Sequence, residues 1–183
     1  EGHAIVADTA LKRLDLDQLW WVVTPGNPLK ANSGLPPQAE RMAACRAFAR
    51  NPKMKITGFE AELGTPYTAA TLAFLKTRFP GVSFVWVMGA DNLASFNRWQ
   101  HWKSIATSFP IAVVDRPGWR LKALSGEAAH LLGPARLDEA DALRDMRVRG
   151  VEADLAAGAI EAAREADAQL DVDALPGASR SQL

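Results

Sequence analysis

A chain of 183 residues with 48% hydrophobic and 23% charged side chains is long enough for one self-supporting core. Its 21 basic residues balance 21 acidic ones, which argues against a protein that coats nucleic acid by charge. Its one cysteine, Cys45, excludes an internal disulfide framework or a multi-cysteine zinc site and suits a reducing cytoplasm.

Val6, Ala7, Ala10, Leu11 and Leu14 share one face at helical spacing. Leu19-Trp20-Trp21-Val22-Val23 reads as a buried strand, stopped by Thr24-Pro25-Gly26-Asn27-Pro28. A helix is expected from about Pro36, with Met42, Cys45, Phe48 and Ala49 on one stripe. Pro36 and Pro37 fit its first turn, where a missing N–H costs nothing. Lys53 to Phe59 reads as a short strand. Thr68 is the expected N-cap of a helix holding Leu72, Leu75 and Phe79, closed near Pro80-Gly81. Val82 to Met88 is the clearest strand, and Gly89-Ala90-Asp91 opens a helical stretch through about Ile105. Ile111 to Val114 is a further apolar strand, turned away by Asp115-Arg116-Pro117-Gly118.

Apolar strands alternating with amphipathic helices predict an α/β fold with a Rossmann-like, doubly wound parallel sheet over residues 1–122. Residues 123–183 read as a helical, acidic C-terminal region of the same domain. Residues 136–183 carry 6 basic and 11 acidic side chains, against 15 and 10 over residues 1–135. A mildly basic body suits phosphate-bearing small molecules or reflects ordinary surface scatter. No apolar run approaches ~18 residues, and the first thirty residues lack the basic-then-apolar layout expected of a secretory signal. A membrane role is therefore not expected, and the oligomeric state stays open.

In an open α/β sheet, ligands lie beyond the carboxyl ends of the strands. His3 falls at the start of the first helix, where N–H groups and the dipole favour an anion, and is a phosphate ligand or a surface histidine. Lys30 ends a rigid proline-bounded turn and offers a point charge to phosphate or to solvent. Gly89 lets a flat ring approach the backbone, and Asp91 accepts from ribose hydroxyls or caps the next helix. Trp99 and Trp102, with Tyr67, bring aromatic density to this side of the sheet. One indole suits stacking on an electron-poor ring, and Trp102 is expected in the core. Trp20, Trp21 and Trp86 are expected to pack. The chain has no Walker lysine motif, no G-x-S-x-G elbow and no G-x-G-x-x-G fingerprint. Its three histidines, His3, His101 and His130, lack metal-ligand spacing, so no protein metal site is expected.

Taken together, Gly2-His3, Val23 to Lys30, Glu40-Arg41-Met42, Gly64 to Leu72, Gly89 to Leu93 with Phe96, Trp99 and Trp102, and Arg116-Pro117-Gly118 resemble the motifs of the bacterial nicotinate-nucleotide adenylyltransferases. These form a branch of the nucleotidyltransferases with an H-x-G-H motif. The resemblance implies adenylyl transfer from ATP, with Mg²⁺, to nicotinate mononucleotide in NAD biosynthesis. His3 and Lys30 would bind ATP phosphates, and Gly89 and Asp91 would hold the adenosine. Trp99 would stack on the pyridine ring, Tyr67 and Thr68 would line its pocket, and Arg116 would assist with charge.

Position 70 is alanine where this family usually has aspartate. The family's first strand and first H-x-G-H histidine would precede Glu1, and its C-terminal S-S-T-x-x-R signature is absent. The expectation is a chain cut at both ends and impaired in activity; a helix-first topology is the alternative. A related transferase with another phosphate acceptor, such as pantetheine phosphate, and a non-catalytic nucleotide-binding module remain as further readings.

Overall fold

The computed structural model describes residues 2–138 and 140–145. Helix α1, Gly2–Arg13, buries Ala7, Ala10 and Leu11, the middle of the expected stripe. Strand β1, Leu19–Val22, pairs in parallel with β2, Met54–Thr57, in register from Leu19 opposite Met54 to Val22 opposite Thr57. Between them runs α2, Gln38–Phe48. Strand β3, Trp86–Gly89, pairs in parallel with β4, Ile111–Val114. Helix α3, Thr68–Arg78, leads into this second half, and α4, Ala90–Leu93, and α5, Trp102–Ser108, connect its strands.

The parallel α/β class is as the alternation of apolar runs predicts. Among the described residues, however, the strands form two separate two-stranded ladders, β1–β2 and β3–β4, rather than one sheet. Helix α1 touches β1, β3 and β4 and so bridges both ladders. A small apolar cluster of Ala7, Ala10, Leu11, Leu19 and Met54, flanked by Val87 and Val114, fills that junction. The larger core surrounds Phe96, which is wholly buried, with Leu72, Leu75, Met88, Leu93, Trp102 and Ile105. Trp102 thus packs inside, as expected. Trp20 also packs, meeting Phe79 and Phe84 edge to face.

Four local expectations change. Val82 to Val85 stay outside the ladder, and β3 begins only at Trp86, whose N–H donates to the Pro110 carbonyl. Phe84 there packs against Trp20 and Phe79, so its apolar character serves the core and not strand pairing. The stretch from Ala90 to Ile105 is not one helix. After α4 it forms a 3-10 turn, Phe96–Arg98, then Trp99 turns extended and His101 left-handed before α5 starts. Trp99 and Trp102 consequently lie on different elements. Thr68 is the first residue of α3, with Tyr67 at the cap position and no side-chain cap bond. Pro37 caps α2 from outside the helix, and α2 buries no residue; Phe48 is exposed while Met42 and Cys45 are half-buried.

Beyond β4, α6 (Arg120–Leu124) and α7 (Glu127–Leu132) follow. Helix α6 spans the expected boundary at residue 122, and Ala123 and Ala128 join the same core as Met88. Residues 146–183 of the expected helical, acidic region lie outside the described residues. No helix among the described residues is long and apolar enough to cross a membrane.

Candidate active site

At the carboxyl end of β3, Gly89 hands the chain to α4 and places Asp91 in its first turn. Asp91 does not cap that helix. Its Oδ2 instead accepts from Arg116 Nη1 at 2.8 Å, an ion pair that links the end of β3 to the turn after β4. Its Oδ1 is buried and has no hydrogen-bond partner. A buried carboxylate oxygen without a donor is costly, so this atom is poised to accept one from a ligand. The backbone is fitted closely to the pair. A Cβ on Gly89 would lie 2.5 Å from Asp91 Oδ1 and 2.8 Å from Arg116 Cδ, so only glycine leaves the pair in place. Gly2 presses on the same guanidinium, where a Cβ would meet Arg116 Nη2 at 2.5 Å.

His3 stands one residue further along α1, exposed, with its ring centroid 6.1 Å from that of Trp21. The protein packed around its imidazole lowers its pKa, and Arg116 pushes in the same direction. Asp91 opposes them, and Lys30 adds a smaller cationic push downward. His3, Asp91, Arg116 and Lys30 therefore share one electrostatic neighbourhood. At neutral pH His3 is an uncharged imidazole able to donate one N–H.

Lys30 is exposed on the loop after β1. Its backbone N–H donates to the Asn27 carbonyl, and Asn32 closes the same turn by accepting from Asn27 N at 3.0 Å. The Asn32 amide also donates to the Asn27 carbonyl at 3.2 Å.

On the side of α3, an open cavity of about 390 Å³ is lined by Thr65, Tyr67, Ala69, Ala70, Gln100 and His101. Tyr67 is 41% exposed and free to meet a ligand. Thr68 is half-buried beside this lining and not part of it. Trp99 is half-buried and packs edge-on to Phe96 at 5.3 Å and Trp86 at 6.2 Å, so part of its indole belongs to the core.

The structure thus brings together His3, Gly89, Asp91 and Arg116, and sets Tyr67 on a separate cavity. Sequence reasoning missed Gln100 and His101 in that cavity and Gln38 and Asn32 around the Lys30 loop, and it marked Arg41 only as part of the Glu40-Arg41-Met42 motif. Two asparagines five residues apart in a proline-bounded loop were the available signal, because Asn side chains substitute for backbone partners in turns. Among the described residues no three His, Cys, Asp or Glu side chains converge as a metal cage.

An exposed lysine on the loop after β1, an orphaned acceptor beside a strand end and a helix opening on a histidine fit a nucleotidyltransferase. The cytidylyltransferase-like family matches residues 1–155, and the chain belongs to it. Within that class the chain is 57% identical over 142 residues to the probable nicotinate-nucleotide adenylyltransferase of Rhizobium johnstonii, covering 78% of this chain and 71% of that protein. The like-named protein of Rhizobium meliloti is 58% identical over 142 residues, 78% of this chain and 76% of its own. That of Mesorhizobium japonicum is 57% identical over 148 residues, 81% and 76%. The chain is thereby a member of the nicotinate-nucleotide adenylyltransferase family.

Proposed function

We propose that the chain transfers the adenylyl group of ATP to nicotinate mononucleotide, giving nicotinate adenine dinucleotide and pyrophosphate. The acceptor is the one for which its relatives, probable nicotinate-nucleotide adenylyltransferases, are named. The observation that carries the nucleotide half is the buried, unpartnered Asp91 Oδ1 beside Gly89, an acceptor suited to a ribose hydroxyl. In this reading Gly89 makes room for the Asp91–Arg116 pair beside the adenosine, and Arg116 holds the carboxylate toward the sugar.

The mononucleotide phosphate oxygen attacks the α-phosphorus in line, and the bond to the bridging oxygen breaks as pyrophosphate leaves. Such a reaction needs positioning and charge neutralisation, and no covalent intermediate. His3 donates its N–H to the triphosphate, and Lys30 swings onto the departing phosphates. Mg²⁺ bound together with ATP would supply further positive charge against the phosphates, beside the Lys30 ammonium and the His3 N–H. The acceptor's pyridine ring stacks on the part of Trp99 left outside the core, with Tyr67 and Thr68 bounding that side. The lone cysteine supports a reducing, cytoplasmic setting for this reaction.

The test is pyrophosphate release from ATP with nicotinate mononucleotide, nicotinamide mononucleotide and pantetheine phosphate in parallel. Preference for the first supports the proposal; turnover with pantetheine phosphate alone refutes it. Trp99→Ala is expected to weaken mononucleotide binding by about 1–3 kcal/mol and leave ATP binding nearly unchanged. Equal loss for both ligands marks Trp99 as core alone. Lys30→Ala is expected to lower turnover ~10²–10³-fold, the usual cost of one charge-stabilising donor.

A further inference from the structure

Arg41, on the first turns of α2, spends its whole guanidinium on main-chain carbonyls. Nη1 donates to Thr24 O at 2.8 Å, Nη2 to Pro25 O at 3.2 Å and Nε to Pro36 O at 3.0 Å. Thr24 and Pro25 begin the loop after β1, and Pro36 ends it. One side chain therefore ties both ends of the loop to the same helix. Inside that neck, Asn27 and Asn32 clasp each other around Lys30, and Gly26 sits so close to Asn32 that a Cβ would meet its amide at 3.2 Å. Helix α2 buries no residue fully; Met42 and Cys45 are half-buried, and the bonds from α2 to the ends of the loop run from Gln38 and Arg41. The fixing is polar, and a planar fork of donors is the group that can meet three carbonyls at once.

We propose that Arg41 is a positioning residue for adenylyl transfer, holding the neck of the loop that presents Lys30 to the phosphates. It rests on the reading of Lys30 given above. Arg41 touches no substrate; its effect runs through where Lys30 stands. A displacement of about 1 Å in such a group costs on the order of 10²-fold in rate.

The experiment is a double-mutant cycle on the full chain. Turnover with ATP and nicotinate mononucleotide is measured for the parent, Arg41→Met, Lys30→Ala and the double variant, with thermal melting on each. Arg41→Met is expected to lower kcat about 10²-fold with a small change in the KM for nicotinate mononucleotide, and to add no further loss in the Lys30→Ala background. Arg41→Lys, which cannot reach three carbonyls, is expected to stay impaired, and millimolar guanidinium is expected to restore part of the rate to Arg41→Ala. Hydrogen exchange at residues 26–32 should rise in Arg41→Met while β3 and β4 stay protected. Equal fold-losses in both backgrounds overturn the positioning role and leave the role of Lys30 standing. A silent Lys30→Ala overturns that reading of Lys30 and this inference together. If Arg41→Met fails to fold, Arg41→Lys and its guanidinium-treated Ala counterpart decide the matter by the same cycle.

Discussion

The two strand pairs carry their functional loops by opposite means. Around β3 and β4 the support is apolar: Phe96 is fully buried, Leu93 and Trp102 close over it, and the Gly89–Asp91 turn is pressed into place. Beyond the ends of β1 and β2, whose Leu19 and Met54 themselves sit in an apolar cluster, it is polar. The ladder ends at Val22 and Thr57, after which Gln38 Nε2 donates to Val23 O at 2.5 Å and to Gly58 O at 3.2 Å, and Arg41 takes over the loop. Burial is indifferent to direction, whereas hydrogen bonds fix geometry one atom at a time. The apolar half suits a rigid nucleoside seat. The polar half suits the aimed lysine of the proposed reading.

Substitutions on each side sharpen that contrast. Phe96→Ala should show the largest effect, about 3–5 kcal/mol of stability lost, because a wholly buried ring leaves a cavity its neighbours cannot fill. Chemical denaturation measures it; a loss under about 1 kcal/mol would mean that this half is not held by packing. Gly89→Ala should cost about 1–3 kcal/mol, the range for overfilling a close-packed site, and much of that should appear as weakened ATP binding. Calorimetric titration with ATP checks it, and unchanged affinity would detach the Asp91–Arg116 pair from the nucleotide. On the polar side, Gln38→Leu should remove two hydrogen bonds at about 0.5–1.5 kcal/mol each, with exchange rising at Val23 and Gly58 and no change around Phe96.

The smallest effect concerns pH. The folded pKa of His3 lies below its ordinary value, so in that window the unfolded chain binds the extra proton and the folded one does not. Stability therefore rises as pH climbs through that window and falls as pH drops below the usual imidazole range. Arg116→Met removes a cationic push and should move the His3 titration upward, as followed by NMR of its ring protons. A downward move would mean that Arg116 does not act on His3 through charge.

Much of this arrangement is legible in the sequence. The periodicity of Ala7, Ala10 and Leu11 marked the buried face of α1, and the apolar runs at Leu19 and Ile111 marked two strands. Val82 to Val85 misled because apolar residues in a row look alike whether they pair in a ladder or fill a core, as Phe84 does. The break at Trp99 and His101 was hidden because neither residue type announces an extended or left-handed backbone. At the site, Gly89 and Asp91 stood out by their place at a strand end, but the Arg116 pairing required the two strand ends to be adjacent in space. Arg41 and Gln38 bond to carbonyls, which every residue has, so no pattern of side chains in the sequence could point to their partners.

His101 sits at φ 55° on the lip of the cavity, with no glycine to ease that turn. A β-branched replacement there would add roughly 1–2 kcal/mol of backbone strain, whereas asparagine or glycine would be accommodated. Efforts to retune what the cavity admits therefore have unequal freedom along its rim. Thr65 and Gln100 are open to redesign in size and charge, and position 101 is confined to the few amino acids at ease in a left-handed twist.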